Sequence, residues 1–313
     1  KRQTIIKAIS GGGLSNTCID SVTSLTIVSV PPPGNGAAVF RPPYVGDDKP
    51  YYAIDDLQTH LLQSLDPVNN TPSLEWVENR FAPVQLDHCM GELGRNIHPA
   101  DYMPDYAPDM AVDNNEAALR LMLNDAIADK EQALINFVQY GIDLYHMVIN
   151  GQTWPAGGGY TPGKKMPLTF AAVMLNNYEM KTWIRNNVGR FNEDYATYYG
   201  EGDVALFGIE GGPVRTTADP YHYIDGGEVP GDSYQFCCLS QPYKGSVLVA
   251  HLIPEMITIW NHPALFDYVD RWVTFGVWTL PDPYNRFPEL HGTQPDGGYR
   301  RSRFVDAMWN AYR

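Results

Sequence analysis

Apolar residues recur at intervals of three or four along most of the chain after residue 50, which is the pattern of amphipathic α-helices. Two short helices are predicted first, at 55–65 and at 73–81, the second of them capped by Ser73. His60 lies beside the leucine stripe of the first, where we expect a histidine at the edge of the core. Longer or clearer helices are predicted at 114–126, 128–149, 164–176, 178–188, 246–260, 264–278 and 304–312.

These helices come in consecutive pairs with short connections, which is typical of antiparallel helical hairpins. Several hairpins in sequence, joined by long loops, predict an all-α fold: an (α/α) toroid or an incomplete toroid. A plain helical bundle with long loops is the alternative. We expect one domain over 1–313, with an extended N-terminal wrap at 1–50 and the helical toroid at 51–313. Within the wrap, the Thr/Val/Ile-rich segment 21–30 is either a strand or a buried arm.

Composition and charge limit the kinds of ligand. The 313 residues include 20 Tyr, 25 Pro and 28 Gly, a mixture that favours ordered loops lined with aromatic rings. Such surfaces often bind sugars, although a loop-rich core would have the same composition. The net charge of −14 argues against nucleic acid as a partner. An anionic sugar stays compatible with it, because charges are screened beyond roughly 8 Å and a local cationic pocket can act within an acidic surface.

Other classes of protein find little support. No apolar run approaches the roughly 18 residues of a membrane-spanning helix, and no signal peptide opens the chain. Because the chain starts at Lys1, we expect a mature exported protein, secreted or periplasmic. The four cysteines, Cys18, Cys89, Cys237 and Cys238, match neither a zinc site nor a CxxC motif, although one bridge such as Cys18–Cys89 is compatible with them. We expect no metal and no cofactor.

A glycine-rich segment precedes the most apolar helix. The run WPAGGGYTPGKK at 154–165 contains four glycines: three lie together in the glycine-rich segment 155–160, and Gly163 directly precedes Lys164 and Lys165. The helix that follows is apolar on nearly every face. We expect these lysines at the rim of the core, where they and the helix N-terminus would suit an anionic ligand. The alternative is a plain helix entry with two solvated lysines.

Two further stretches, 87–102 and 211–245, contain more polar side chains than a connecting loop needs. Each could line a site or form an internally hydrogen-bonded loop. The stretch 87–102 also holds His88 and His98 near acids, but their spacing matches no standard set of metal ligands. The polar residues in these stretches are Glu92, Arg95, Asn96, His98 and Asp101 in the first, and Arg215, Asp219, Tyr221, His222, Tyr223, Asp225 and Tyr234 in the second.

Tyrosine, arginine and histidine or asparagine together suit β-elimination on a uronic acid. Removing the proton next to a carboxylate builds negative charge there, so a site needs fixed donors and cations. A tyrosine near a cation can act as the base and then as the acid. Arg215 precedes Tyr221 by only six residues, and Arg95, Asn96 or His222 could neutralise the carboxylate. Lys164 or Lys165 could bind a neighbouring uronate.

Three motifs resemble a known family. They are WPAGGGYTPGKKMPLTFA at 154–171, RTTADPYHYIDGG at 215–227 and YQFCC at 234–238. Together they resemble the (α/α) toroid polysaccharide lyases that cleave glucuronan and alginate, polysaccharide lyase family 38. The resemblance implies a tyrosine base and acid, matched here to Tyr221, with Arg215 nearby and asparagine or histidine neutralisers. Where the family commonly has GGH followed by GRK, this chain has Tyr160 and Lys164.

We therefore expect a lyase with catalytic and substrate-binding residues drawn from these motifs and from the polar stretch 87–102. The catalytic candidates are Tyr221, Arg215, Tyr160, Asn96 and His222, and the substrate-binding candidates are Arg95, His98, Trp154, Lys164, Lys165 and Tyr234. The substrate would be an anionic polysaccharide.

Two other functions fit the same sequence. A glycoside hydrolase on such a toroid would need two carboxylates, about 5–5.5 Å or about 6.5–9.5 Å apart. A non-catalytic glycan-binding protein is suggested by the Tyr160 difference and the many aromatic residues. Candidate carboxylates for the hydrolase are Glu92, Asp101, Asp219, Asp225 and Glu228.

Overall fold

The structure is a computed structural model that describes residues 2–10, 19–84, 96–97, 104–105, 107–154, 161–194, 240–275 and 302–313. Of the described residues, 58% are helical and 10% lie in strands. The prediction of a mostly helical protein is therefore confirmed. The described helices are α1 (Leu74–Phe81), α2 (Ala107–Leu121), α3 (Ile127–Ile149), α4 (Lys165–Met174), α5 (Tyr178–Asn186), α6 (Ser240–Leu252), α7 (Glu255–Trp260), α8 (Pro263–Phe275) and α9 (Arg303–Tyr312).

The N-terminal part of the chain contains a β-hairpin that the helical fold class did not include. Strands β1 (Gln3–Ser10) and β2 (Ile19–Ile27) pair antiparallel, with Gln3 opposite Ile27. Segment 21–30 is thus largely strand, and the alternative of a buried arm is wrong because Leu25 is 63% exposed. Two short strands, β3 (Asn96–Ile97) and β4 (Pro104–Asp105), form a second antiparallel pair.

The prediction of a helix at 55–65 is wrong. The segment forms two 3₁₀ turns, Ile54–Asp56 and Thr59–Leu61. Its internal backbone bonds are the short bonds of these turns, and it also bonds to other parts of the chain: Gln58 N donates to Met174 O at 2.7 Å and Leu65 N to Met122 O at 3.0 Å. Its leucines still pack on the core, but His60 is exposed rather than at the core edge.

The other helices agree with the apolar pattern, apart from their boundaries. Ser73 caps α1 by accepting from Trp76 N, as predicted. Helix α2 begins at Ala107 rather than at 114. Pro108 is compatible with this start, because a missing N–H in the first turn costs no helical bond. The helix predicted at 246–260 is divided into α6 and α7, and Pro254 lies between them.

Helix α3 packs against α1 and α4, while α2 packs against α6. The predicted helical pairs are in contact, namely α2 with α3, α4 with α5 and α6 with α8. Every residue of α4 is buried, as its apolar sequence predicts. Gly141 of α3 makes the close approach of α4 feasible, since a Cβ there would stand 2.4 Å from the Cβ of Ala171. Within the described ranges, none of the helices has the length and hydropathy of a membrane span.

Candidate functional site

Three of the predicted site residues have described side chains: Trp154, Lys164 and Lys165. They lie at the two ends of the glycine-rich segment 155–160. The backbone of Asn96 lies in β3. The other candidates lie outside the described residues: Arg95, His98, Tyr160, Arg215, Tyr221, His222 and Tyr234, the hydrolase carboxylates Glu92, Asp101, Asp219, Asp225 and Glu228, and the four cysteines.

The residue before the glycine-rich segment is fixed by the segment 189–194. Trp154 N donates to Arg190 O at 2.8 Å, and Trp154 forms an isolated parallel bridge with Phe191. The two rings stack with their centroids 5.9 Å apart. Trp154 is buried, and one face of its ring is covered by Phe191, so its contacts favour a structural role over the predicted contact with a sugar.

The residues after the glycine-rich segment are fixed by the same 189–194 segment. Asn192 Nδ2 donates to Thr161 Oγ1 at 3.0 Å, and Asn192 Oδ1 accepts from the Tyr243 hydroxyl of α6. Gly163 N donates to Glu193 Oε1 at 2.9 Å, and Gly163 O accepts from Asn114 Nδ2 at 2.9 Å. One short segment therefore contacts the chain on both sides of residues 155–160.

A buried ion pair joins the start of α4 to the 189–194 segment. The ammonium of Lys165 is paired with Asp194, and both side chains are fully buried. Asp194 Oδ2 also accepts from Gly189 N at 2.9 Å. The ammonium stands 5.4 Å from the centre of the Trp260 ring and 5.8 Å from that of Phe191. Burial lowers the pKa of Lys165, and Asp194 opposes that shift by favouring the charged form.

Lys164 has a different set of contacts. Its ammonium donates to the Tyr140 hydroxyl of α3 at 3.3 Å. Lys164 is 2% exposed and Lys165 0% exposed. The prediction that the two lysines lie at the rim of the core is therefore wrong, and so is the alternative of two solvated lysines. Because α4 is buried on all sides, the lysines at its start are buried as well. The Lys165 ammonium is paired with Asp194, and the Lys164 ammonium donates to Tyr140.

Glu193 is a buried acid whose two oxygens differ. Oε1 accepts from Gly163 N at 2.9 Å and from Lys165 N at 3.3 Å. Oε2 is buried and has no hydrogen-bond partner among the described residues. Burial raises the pKa of Glu193 to about 7, and the nearby Asp194 carboxylate acts in the same direction. Glu193 is thus a carboxyl group that changes its protonation state close to neutral pH.

The pKa of Glu193 predicts a pH-dependent contribution to stability. A carboxyl pKa raised from 4.5 to about 7 on folding means that the folded state binds the proton more tightly. The contribution is fully present below pH 4.5 and is lost as the pH rises through about 7, a change of about 3 kcal/mol. We expect the free energy of unfolding of the wild type, minus that of Glu193→Gln, to fall by this amount across the window.

Urea unfolding of both proteins across this pH range measures that difference. The comparison between variants is needed because burial lowers the pKa of His146 to about 4. The contribution of His146 is lost as the pH falls from 6.5 towards 4, which opposes the slope of Glu193 in the wild type but cancels in the difference. A difference that stays constant with pH would contradict the assignment to Glu193.

Gly163 makes the junction between the segment and α4 sterically feasible. Its φ is +89°, and a Cβ there would stand 2.5 Å from the Cβ of Ala111 and 2.8 Å from its Cα. We expect Gly163→Ala to lower the free energy of unfolding by about 2–4 kcal/mol, from backbone strain and overpacking together. Thermal or urea unfolding measures the loss.

Gly151→Ala is the matched control for that variant. Gly151 also has a positive φ, +101°, but a Cβ there would have no atom within 4 Å. It isolates the cost of backbone strain, about 1 kcal/mol. Equal losses in the two variants would show that contact with Ala111 contributes nothing.

Sequence reasoning missed Tyr140 and the acids Glu193 and Asp194. The run FNED at 191–194 places two acids close to Phe191. Acids are rarely fully buried unless they are paired, and the sequence does not show which residues pair with them. Tyr140 gave no signal beyond a hydroxyl on an apolar stripe. Among the described residues, no group of three or more His, Cys, Asp and Glu side chains is arranged to hold a metal ion.

The chain was also compared with known proteins. No protein-family model, no curated protein and no solved structure matches it.

Proposed function

We propose that the chain is a polysaccharide lyase that cleaves a uronic-acid-containing polymer, of the glucuronan or alginate type, by β-elimination. The proposal includes an (α/α) toroid or incomplete toroid as the arrangement of the helices, and a secreted or periplasmic location. Its basis is the three sequence motifs, together with the way in which the described residues fix both ends of the glycine-rich segment.

In the proposed reaction, the Tyr221 phenolate removes the proton from C5 of a uronate. The electron pair of that C–H bond forms the C4–C5 double bond, and the C4–O bond to the neighbouring sugar breaks. The leaving oxygen takes a proton from the phenol, so no water is consumed. Arg215 would favour the phenolate, and Asn96, His222 or Tyr160 would stabilise the charge that develops on the carboxylate.

The observation that carries the proposal is the double contact of the 189–194 segment with the chain at Trp154 and at 161–165. Stabilising a transition-state charge requires donors that are already in place, because reorganising them during the reaction costs free energy. Tyr160, which stands where the resembling family has a histidine, lies between the two fixed ends in sequence. The buried contacts hold Trp154 and residues 161–165, and a donor at Tyr160 would require such support on either side of it.

The contacts also refine the proposed roles of the three described candidates. The Lys165 ammonium is paired with Asp194, and Trp154 stacks on Phe191, so we propose that both residues hold the glycine-rich segment in place. Lys164 donates to Tyr140 in the described conformation, and we assign it the same supporting role. Direct contact with the uronate polymer is then proposed for Tyr160, Arg95, His98 and Tyr234.

The test is to mix the purified protein in turn with glucuronan, polymannuronate, polyguluronate and a neutral glucan. The ultraviolet absorbance of the new C4–C5 double bond is followed, and reducing ends are measured in parallel. Absorbance that rises with one uronate polymer and not with the glucan supports the lyase. Reducing ends without absorbance would indicate a hydrolase, and retention of the polymer with neither signal would indicate a glycan-binding protein.

A further inference from the structure

Glu193 joins two parts of the chain through a single oxygen atom. Its Oε1 accepts from the backbone N–H groups of Gly163 and Lys165, which are the last glycine before α4 and the first residue of α4. The N–H groups in the first turn of a helix have no partner within the helix, and Lys164, the residue before α4, makes no side-chain capping bond. Glu193 therefore supplies from a distant position the acceptor that a local cap would normally provide.

Glu193 and Asp194 are adjacent but make different contacts at this junction. Asp194 is bound to the Lys165 ammonium and to Gly189 N, so it connects the lysine side chain to the turn that precedes the two acids. Glu193 binds only backbone N–H groups among the described residues, and its second oxygen has no partner there. The conformation of the backbone at 163–165 thus depends on one acceptor atom in a fully buried side chain.

We propose that Glu193 is a positioning residue, which sets the backbone between the glycine-rich segment and α4 by holding Gly163 N and Lys165 N on one carboxyl oxygen. Its importance for elimination rests on the proposed function, whereas its effect on the backbone does not. What Glu193 supplies is an acceptor rather than a charge, because a protonated carboxyl or an amide offers the same oxygen to the two N–H groups.

The test compares Glu193→Ala with Glu193→Gln by hydrogen exchange of the Gly163 and Lys165 amides, resolved by NMR. Removing the acceptor leaves two N–H groups without their partner, so we expect exchange at both amides to become about 10–100-fold faster in Glu193→Ala. In Glu193→Gln the amide oxygen replaces the carboxyl oxygen, and we expect exchange within about threefold of the wild type. Glu255→Ala, which breaks a surface pair with Lys181, is the control and should leave both amides unchanged.

The second measurement is the kcat/KM for elimination in the wild type and the Glu193 variants. If the wild type eliminates a uronate polymer, kcat/KM should fall at least tenfold in Glu193→Ala and recover in Glu193→Gln. If the wild type shows no elimination, the proposed function fails, while the exchange rates still decide the role of Glu193. Unchanged exchange in Glu193→Ala, or exchange as fast in Glu193→Gln as in Glu193→Ala, would overturn the positioning role. Faster exchange in Glu193→Ala with undiminished kcat/KM would overturn its importance for the reaction.

Discussion

Replacing Lys165 by methionine is expected to lower the free energy of unfolding by about 3–5 kcal/mol. The ammonium is paired with Asp194, and both side chains are fully buried. Methionine fills a similar volume but leaves the Asp194 carboxylate with Gly189 N as its remaining donor in the described structure. A charge buried without its counter-ion carries the cost of its lost hydration, and that cost is larger than the stability that the pair itself contributes. Urea unfolding at neutral pH measures the loss.

Two further variants separate the loss of the pair from the loss of a lysine as such. Lys165→Met combined with Asp194→Asn removes both charges, while the asparagine oxygen can still accept from Gly189 N, so we expect at least half of the lost stability to return. Lys181→Met breaks the surface pair with Glu255 and should cost no more than about 1 kcal/mol. A loss at Lys165 no larger than that at Lys181 would show that the buried pair does not stabilise the start of α4.

Replacing Tyr221 by phenylalanine is expected to lower kcat for elimination by about 10²–10⁴-fold. The substitution removes only the hydroxyl oxygen, which the proposal uses first as base and then as acid. Substrate affinity should change much less, because the ring is retained. Initial rates of absorbance increase across a range of polymer concentrations give kcat and KM separately.

Tyr178→Phe is the matched control for the loss of a tyrosine hydroxyl. Tyr178 begins α5 and is 80% exposed, so its hydroxyl should contribute nothing to catalysis. Unfolding curves of both variants show whether any loss of activity comes from a loss of fold. Full activity in Tyr221→Phe would contradict the assignment of Tyr221, and the base would then have to be sought among the other polar residues of the three motifs.

Much of the helical structure could be predicted because it depends on local sequence. The apolar spacing in α3 and the continuous apolar run of α4 predict two helices that bury their faces, and Ser73 marks the start of α1. The leucines of 55–65 have the same spacing, but the segment forms only short 3₁₀ turns, and Gln58 N and Leu65 N bond to Met174 O and Met122 O at the ends of α4 and α2. Apolar periodicity records which side chains are buried, and it does not show where the backbone hydrogen bonds go.

The junction between the glycine-rich segment and α4 could be located from sequence, but its contacts could not. The glycine-rich segment and the two lysines that follow it indicate the junction at α4 correctly. The partners of those lysines lie elsewhere in the chain, Asp194 in the 189–194 segment and Tyr140 in α3, and no spacing rule connects such distant residues. Lysine was expected near the surface because burying it alone is costly, and the buried partners that offset this cost are visible only in three dimensions.

The most direct test of the lyase proposal is the mass of the products released from a defined uronate oligosaccharide. Elimination gives a new non-reducing end that carries a C4–C5 double bond, so the summed mass of the two fragments equals the mass of the starting oligosaccharide. We expect that result for the wild type and no cleavage for Tyr221→Phe. Fragments whose summed mass exceeds that of the substrate by one water molecule would show hydrolysis and would contradict it.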